Sequence, residues 1–136
     1  MKRFMLICLL ILSITSIDSY SKEKNVRIDV MYFHTTVRCE SCLKIEEHIF
    51  NTIKDVFEKE QKDNLITVKS IDFWEEGNEH FEKAYKFDTQ TLILSKKVNG
   101  KEVKWKNLDK IFDYAGNYLH FQKYLKEEIE SFMKKK

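Results

Sequence analysis

The sequence predicts an α/β sandwich: a mixed sheet of about four strands, flanked by helices and closed by a long C-terminal helix. Three observations carry that expectation. A strand-like run, a long helical face and a second strand-like run follow one another from Val26 to Ile71, and a strand, crossover helix and strand in succession make a parallel, right-handed unit. Asn99-Gly100, flanked by strand-like runs, marks a hairpin and so adds an antiparallel pair. Helical periodicity then returns from Leu108 to Met133.

The elements follow in order. Val26, Ile28 and Val30 alternate with Arg27 and Asp29 before Met31-Tyr32-Phe33, the pattern of a strand that grows more buried as it proceeds and ends near His34. Ile45, Ile49, Ile53, Val56 and Phe57 recur at spacings of three and four, which predicts one apolar helical face on a helix from about Cys39 to Glu60. Asp63-Asn64 ends it. Leu65 to Val68 with Ile71 reads as a second strand, and a helix through Glu79, Phe81, Ala84 and Tyr85 starts near Gly77-Asn78. Thr91 to Leu94 and Glu102 to Trp105 form the hairpin strands. In the tail, Gly116-Asn117 divides two helical pieces.

The composition excludes several classes. A chain of 136 residues that is 43% hydrophobic and 13% aromatic fits one compact domain and fits disorder, a coiled coil or a multipass membrane protein badly. Lys and Arg number 24 against 22 Asp and Glu, and the signs are interleaved, so the chain has no electrostatic footprint for nucleic acid. Lys2 and Arg3 precede an uncharged run from Phe4 to Ile14, and Ser16, Ser19 and Ser21 follow. This predicts a secretory signal over residues 1–21, cut somewhere between 16 and 22, ahead of a domain over 25–134. The apolar run falls short of the ~20 residues a bilayer requires, though uncut it would remain as a membrane anchor. Cys8 leaves with the signal, and Ile7 before it argues against a lipoprotein. The mature chain then keeps Cys39 and Cys42 in an extracytoplasmic compartment, such as a periplasm, that permits disulfides.

Cys39-Glu40-Ser41-Cys42 opens the first helix. Residues i and i+3 there have Cβ atoms roughly 5 to 6 Å apart, close to the range a disulfide accepts. With Cys39 as the N-cap, its sulfur faces unpaired amides and the positive end of the helix dipole, which favours thiolate. Arg38 adds positive charge and Glu40 opposes it, while Cys42 lies a turn deeper. The expected roles are an attacking Cys39 and a resolving Cys42. Two other readings stand beside this one. A static disulfide would stabilise little across so short a loop. A zinc or copper(I) site would use Cys39 and Cys42 with His34 as third ligand.

Tyr32-Phe33-His34, the Cys39 to Cys42 motif on a long helix, and Tyr85 to Leu94 leading into a hairpin resemble the thioredoxin superfamily over most of residues 25–134. Phe33 to Cys39, together with Trp105 to Leu108 and the long terminal helix, resembles more narrowly a small bacterial thioredoxin-like family labelled as a subunit of a nitrophenyl-compound nitroreductase. The resemblance implies a thioredoxin-like sandwich and an exported thiol-disulfide oxidoreductase. Cys39 would be its nucleophile and Cys42 the resolving cysteine, with the Cys39–Cys42 disulfide as redox centre and no separate cofactor. Its partners would be protein thiols or disulfides and an upstream redox protein. A partner-binding module with incidental cysteines is the remaining alternative. Ferredoxin-like metallochaperones also open a helix with CxxC but lack a helix before the third strand.

Departures from the family mark particular residues. Its cis-proline position falls at Gln90 of Gln90-Thr91-Leu92, which makes Gln90 and Thr91 the candidate substrate-facing residues. The chain contains no proline, and a non-proline cis bond costs roughly 3 kcal/mol, so a trans bond is expected there. On an ungapped count, the family's buried proton-carrying acid falls at Phe33, which leaves His34 and Glu46 as relay candidates. Apart from those roles, His34 reads as a hydrogen-bonded strand-end residue and Glu46 as a solvated helix carboxylate. His48, His80 and His120 read as surface or boundary residues. Trp74 and Trp105 read as packing residues, with Trp74 able to border a cleft.

Overall fold

The computed structural model describes residues 25–134, so the export segment expected over residues 1–21, Cys8 included, lies outside the described residues. Within them runs β1 (Val26–His34), α1 (Glu40–Val56), α2 (Glu58–Lys62), β2 (Ile66–Asp72), α3 (His80–Tyr85), β3 (Thr91–Val98), β4 (Lys101–Asn107), a 3₁₀ turn (Asp109–Tyr114) and α4 (Tyr118–Lys134). The sheet order is β2-β1-β3-β4. β1 pairs parallel with β2 and antiparallel with β3, and β3 pairs antiparallel with β4. This is the mixed four-stranded sheet, flanked by helices, of a thioredoxin-like α/β sandwich.

Alternation along β1 divides its side chains between the two faces. Ile28, Val30 and Tyr32 join Leu92 and Leu94 of β3 in the larger core, against Ile45, Ile49 and Ile53 of α1 and Phe121, Leu125 and Ile129 of α4. The spacing of four within each helix stacks those side chains into one stripe, so both helices lie on the same face. Met31, Phe33 and Ile93 point the other way and pack with Phe73, Tyr85 and Phe87. Among the described residues the six-residue α3 is the one helix on that second face, with Phe73 and Phe87 from the chain on either side of it. Polar pairs close the rest of it: Asp29 with Lys97, Arg27 and Thr67, and Glu102 with Tyr85 and Ser95.

Several boundaries differ from the sequence expectation; β2 runs Ile66–Asp72 and β4 lengthens to Lys101–Asn107. The first helix breaks at Phe57 instead of continuing to Glu60, because Phe57 leaves helical geometry (φ −122°, ψ 27°) and is buried in the larger core. β3 continues past Leu94 to Val98, since every residue from Val26 to Phe33 finds a partner on it. The third helix begins at His80, three residues after Gly77. The hairpin is as expected: Asn99 (φ 52°) and Gly100 (φ 81°) both take positive φ, the requirement of a type I′ turn. Leu108 to Met133 does divide at Gly116-Asn117, with Asn117 Oδ1 accepting from the His120 amide at 3.1 Å.

Candidate functional site

The site lies at the C-terminal end of β1, where the chain turns through residues 35–38 into α1. Cys39 is the N-cap of α1, and Cys42 lies one turn inside. They form a disulfide with Cα atoms 5.1 Å apart. Cys39 is exposed and Cys42 is 6% exposed. The Cys39 sulfur accepts from the Cys42 amide at 3.2 Å and from the Ser41 hydroxyl at 3.1 Å. Both donors face the atom that carries negative charge when the bond opens, and hydrogen bonds to the charged form favour it. Glu40, exposed in the first turn, is the nearest carboxylate in sequence and works in the opposite sense.

Arg38 does not supply the charge expected of it. Its guanidinium turns inward and lies 2.6 Å from the Glu46 carboxylate, with both side chains about four-fifths buried. Its positive charge is therefore spent on Glu46 rather than on Cys39. Burial acts to raise the Glu46 pKa, but the Arg38 guanidinium, with the Ser70 hydroxyl and His34 nearby, outweighs it, and the carboxyl falls below its ordinary value. Glu46 is thus neither the solvated carboxylate expected of it nor suited to carry a proton near neutral pH. It is a fixed anion that anchors Arg38 beneath the motif.

The ungapped count to Phe33 also fails, because Phe33 points to the α3 side of the sheet. The residue beneath the disulfide is Tyr32, fully buried on the α1 side. Its hydroxyl lies 3.2 Å from the Cys42 carbonyl and 3.2 Å from Gln90 Oε1, so one phenol proton ties the motif helix to the segment before β3. Burial pushes the phenol up to about 12 despite the neighbouring Arg38. Tyr32 therefore remains a protonated donor at any physiological pH.

Gln90 is half-buried, and every peptide bond among the described residues is trans. Thr91 is buried, and its hydroxyl donates to Asn107 Oδ1 at 2.5 Å, so its side chain holds the start of β3 to the end of β4 rather than facing a substrate. His34 Nδ1 lies 3.0 Å from the Thr35 carbonyl, as expected of a strand-end histidine. It does not complete a metal site with the two cysteines: among the described residues no three His, Cys, Asp or Glu converge to hold an ion. His48 is buried, not at the surface, and packs against the rings of Tyr118 and Phe121. Trp105 packs on Tyr85, whereas Trp74 is 61% exposed. Sequence reasoning passed over Ser41 and Tyr32. The first was legible as a hydroxyl inside the motif, two residues from Cys39, and the second only from which face of β1 it occupies.

These contacts predict how the thiolate responds to substitution. Ser41→Ala should slow alkylation of reduced Cys39 by up to about tenfold, the worth of one hydrogen bond to a charged group. Glu40→Gln should speed it, by a factor that shrinks as salt rises. Iodoacetamide kinetics from pH 5 to 9 read both, and two flat responses would show that neither contact sets the chemistry.

Fold and site together define a CxxC-bearing α/β protein of thioredoxin-like architecture. No family model matches the chain, and no curated protein is similar to it. A solved structure described as that of a malarial protein superposes with a TM-score of 0.42 at 17% identity, covering 72% of this chain and 96% of that one. No helix among the described residues is long and apolar enough to cross a membrane.

Proposed function

We propose that this is an exported thiol-disulfide oxidoreductase of the thioredoxin superfamily, acting on cysteines of other proteins. The observation that carries the proposal is the inequality of the two sulfurs: an exposed Cys39 that receives two hydrogen bonds, joined to a buried Cys42. A purely structural disulfide has no use for such polarisation, and one closing so short a loop adds little stability.

In the reducing direction, the Cys39 thiolate attacks one sulfur of a substrate disulfide. A Cys39–substrate mixed disulfide forms and the other substrate sulfur leaves as thiolate. Cys42 then loses its proton to water and attacks the Cys39 sulfur, closing the Cys39–Cys42 disulfide and releasing the second substrate thiolate. Two electrons pass from protein to substrate, and the reverse sequence oxidises a substrate dithiol. A second dithiol or disulfide protein restores the starting state. Tyr32 holds the Cys42 carbonyl throughout, so the resolving residue stays in place while its sulfur changes partner. Lys2, Arg3 and the uncharged run from Phe4 to Ile14 support export to a compartment where the disulfide persists.

Trapping tests the proposal. A Cys42→Ser variant expressed with its leader should accumulate reductant-sensitive adducts to other proteins through Cys39. A Cys39→Ser variant should accumulate none. Absence of adducts from the first, with the protein folded and exported, would defeat it.

A further inference from the structure

Beside Cys39 the surface carries an unusual pairing of exposed apolar side chains with unneutralised carboxylates. β1 and β2 run parallel and end together, with His34 opposite Asp72. The Phe73 amide donates to the His34 carbonyl at 3.0 Å, and the Asp72 side chain is hydrogen-bonded by Thr36. The turn after β2 therefore emerges directly beside the segment that leads into Cys39. Hydrogen bonds hold that turn: the Trp74 amide donates to Asp72 Oδ1 at 2.9 Å and Asn78 Nδ2 to the Asp72 carbonyl at 2.8 Å. Trp74 is thus fixed in place yet 61% exposed, its ring meeting Phe73 edge-on. Val37, on the approach to Cys39, is 79% exposed. Leu43, four residues beyond Cys39 and so on the same side of the helix, is 50% exposed.

The same turn is strongly acidic. Residues 72–82 include five carboxylates and no Lys or Arg, in a chain whose net charge is +2. Among the described residues none of the five takes part in an ion pair. Glu75, Glu76 and Glu79 are all exposed on the turn that carries Trp74.

We propose that Val37, Leu43 and Trp74 form, around the Cys39 sulfur, a docking surface for an extended segment of a protein substrate. That segment has apolar residues next to its cysteine and lysines or arginines a few positions away. This rests on the exchange activity proposed above and names its substrate class. The apolar trio supplies contact area, for which an exposed tryptophan is the most effective side chain. The carboxylates supply the sign: they draw basic segments in and repel acidic ones.

The test uses the Cys42→Ser protein in its reduced form, with two peptides. Each carries one cysteine, disulfide-bonded to thionitrobenzoate and set between leucines; one is flanked by lysines and the other by glutamates. Cys39 thiolate attacks the peptide sulfur, the Cys39–peptide disulfide forms, and thionitrobenzoate leaves and is followed by its absorbance. The uncharged disulfide 4,4′-dithiodipyridine serves as the small-molecule reference. At low salt the basic peptide should react about tenfold faster than the acidic one, with the ratio falling toward one at high salt. Adding Glu75→Gln and Glu76→Gln should reduce that ratio several-fold. Trp74→Ser should slow both peptides and leave dithiodipyridine unaffected. A ratio near one or inverted at low salt, or peptide rates unchanged by Trp74→Ser, overturns the docking surface. Failure of Cys39 to react even with dithiodipyridine would instead overturn the exchange activity itself.

Discussion

In the reduced protein, iodoacetamide should modify Cys39 at least about a hundredfold faster than Cys42 near neutral pH. Two effects multiply. The attacking species is the thiolate, and hydrogen bonds from Ser41 and the Cys42 amide favour it at Cys39, whereas burial disfavours it at Cys42. Access differs as well, because reagent reaches a side chain 6% exposed only through a local opening of the N-terminal turn of α1. Mass spectrometry of the quenched time course separates the two sites. Comparable rates would remove the basis for an attacking and a resolving cysteine.

Asp29→Asn should lower stability by about 2 to 3 kcal/mol at pH 7, with a fall in Tm of roughly 10 °C. The carboxylate is 2% exposed and bonded to Lys97 at 2.7 Å, Arg27 at 2.7 Å and Thr67 at 2.8 Å. The amide keeps the shape and loses the charge, leaving two cations without their common partner. The loss stays below that of breaking a fully buried pair because Lys97 and Arg27 reach solvent and recover part of their hydration. Burial acts to raise the Asp29 pKa, but Lys97, Thr67 and Arg27 together bring it below its ordinary value. A carboxyl depressed in the folded state contributes its stability above its unfolded pKa and loses it as pH falls through the folded value. The gap between wild type and variant should therefore be constant above about pH 5 and narrow on acidification below about pH 4. Urea titrations at pH 7 and pH 3 measure both, and a gap equally wide at the two pH values would refute the assignment.

The sheet was legible from sequence because its signals are local. Alternation in Val26 to Val30 and the Asn99-Gly100 turn each depend on neighbours a few residues away. The end of the first helix was not, because the spacing that includes Phe57 continues the helical face. What breaks it is the place the Phe57 ring finds in the larger core, which is a tertiary fact. The site divides the same way. Two cysteines three apart announce an N-cap pair, and the structure places them there. The direction of Arg38 depends on Glu46, eight residues on and a helical turn beyond Cys42, so its charge could not be assigned from position alone. The choice between Tyr32 and Phe33 is a question of strand parity, and an ungapped count from Cys39 across the bend at residues 35–38 carries no parity information.

The unequal cover of the two sheet faces gives the molecule a graded cooperativity. Amides of β1 and β3 lie between the α1–α4 layer and the α3 layer and should exchange only when the domain opens as a whole. Those of α3 and the Trp74 turn are held by one short helix and a handful of side-chain bonds, so sub-global openings release them first. The disulfide and the Trp74 turn thus fall in different cooperative units. The Cys39–Cys42 disulfide is anchored in the better-packed unit, so an opening of the neighbouring turn, once its few hydrogen bonds break, should leave the geometry at sulfur undisturbed.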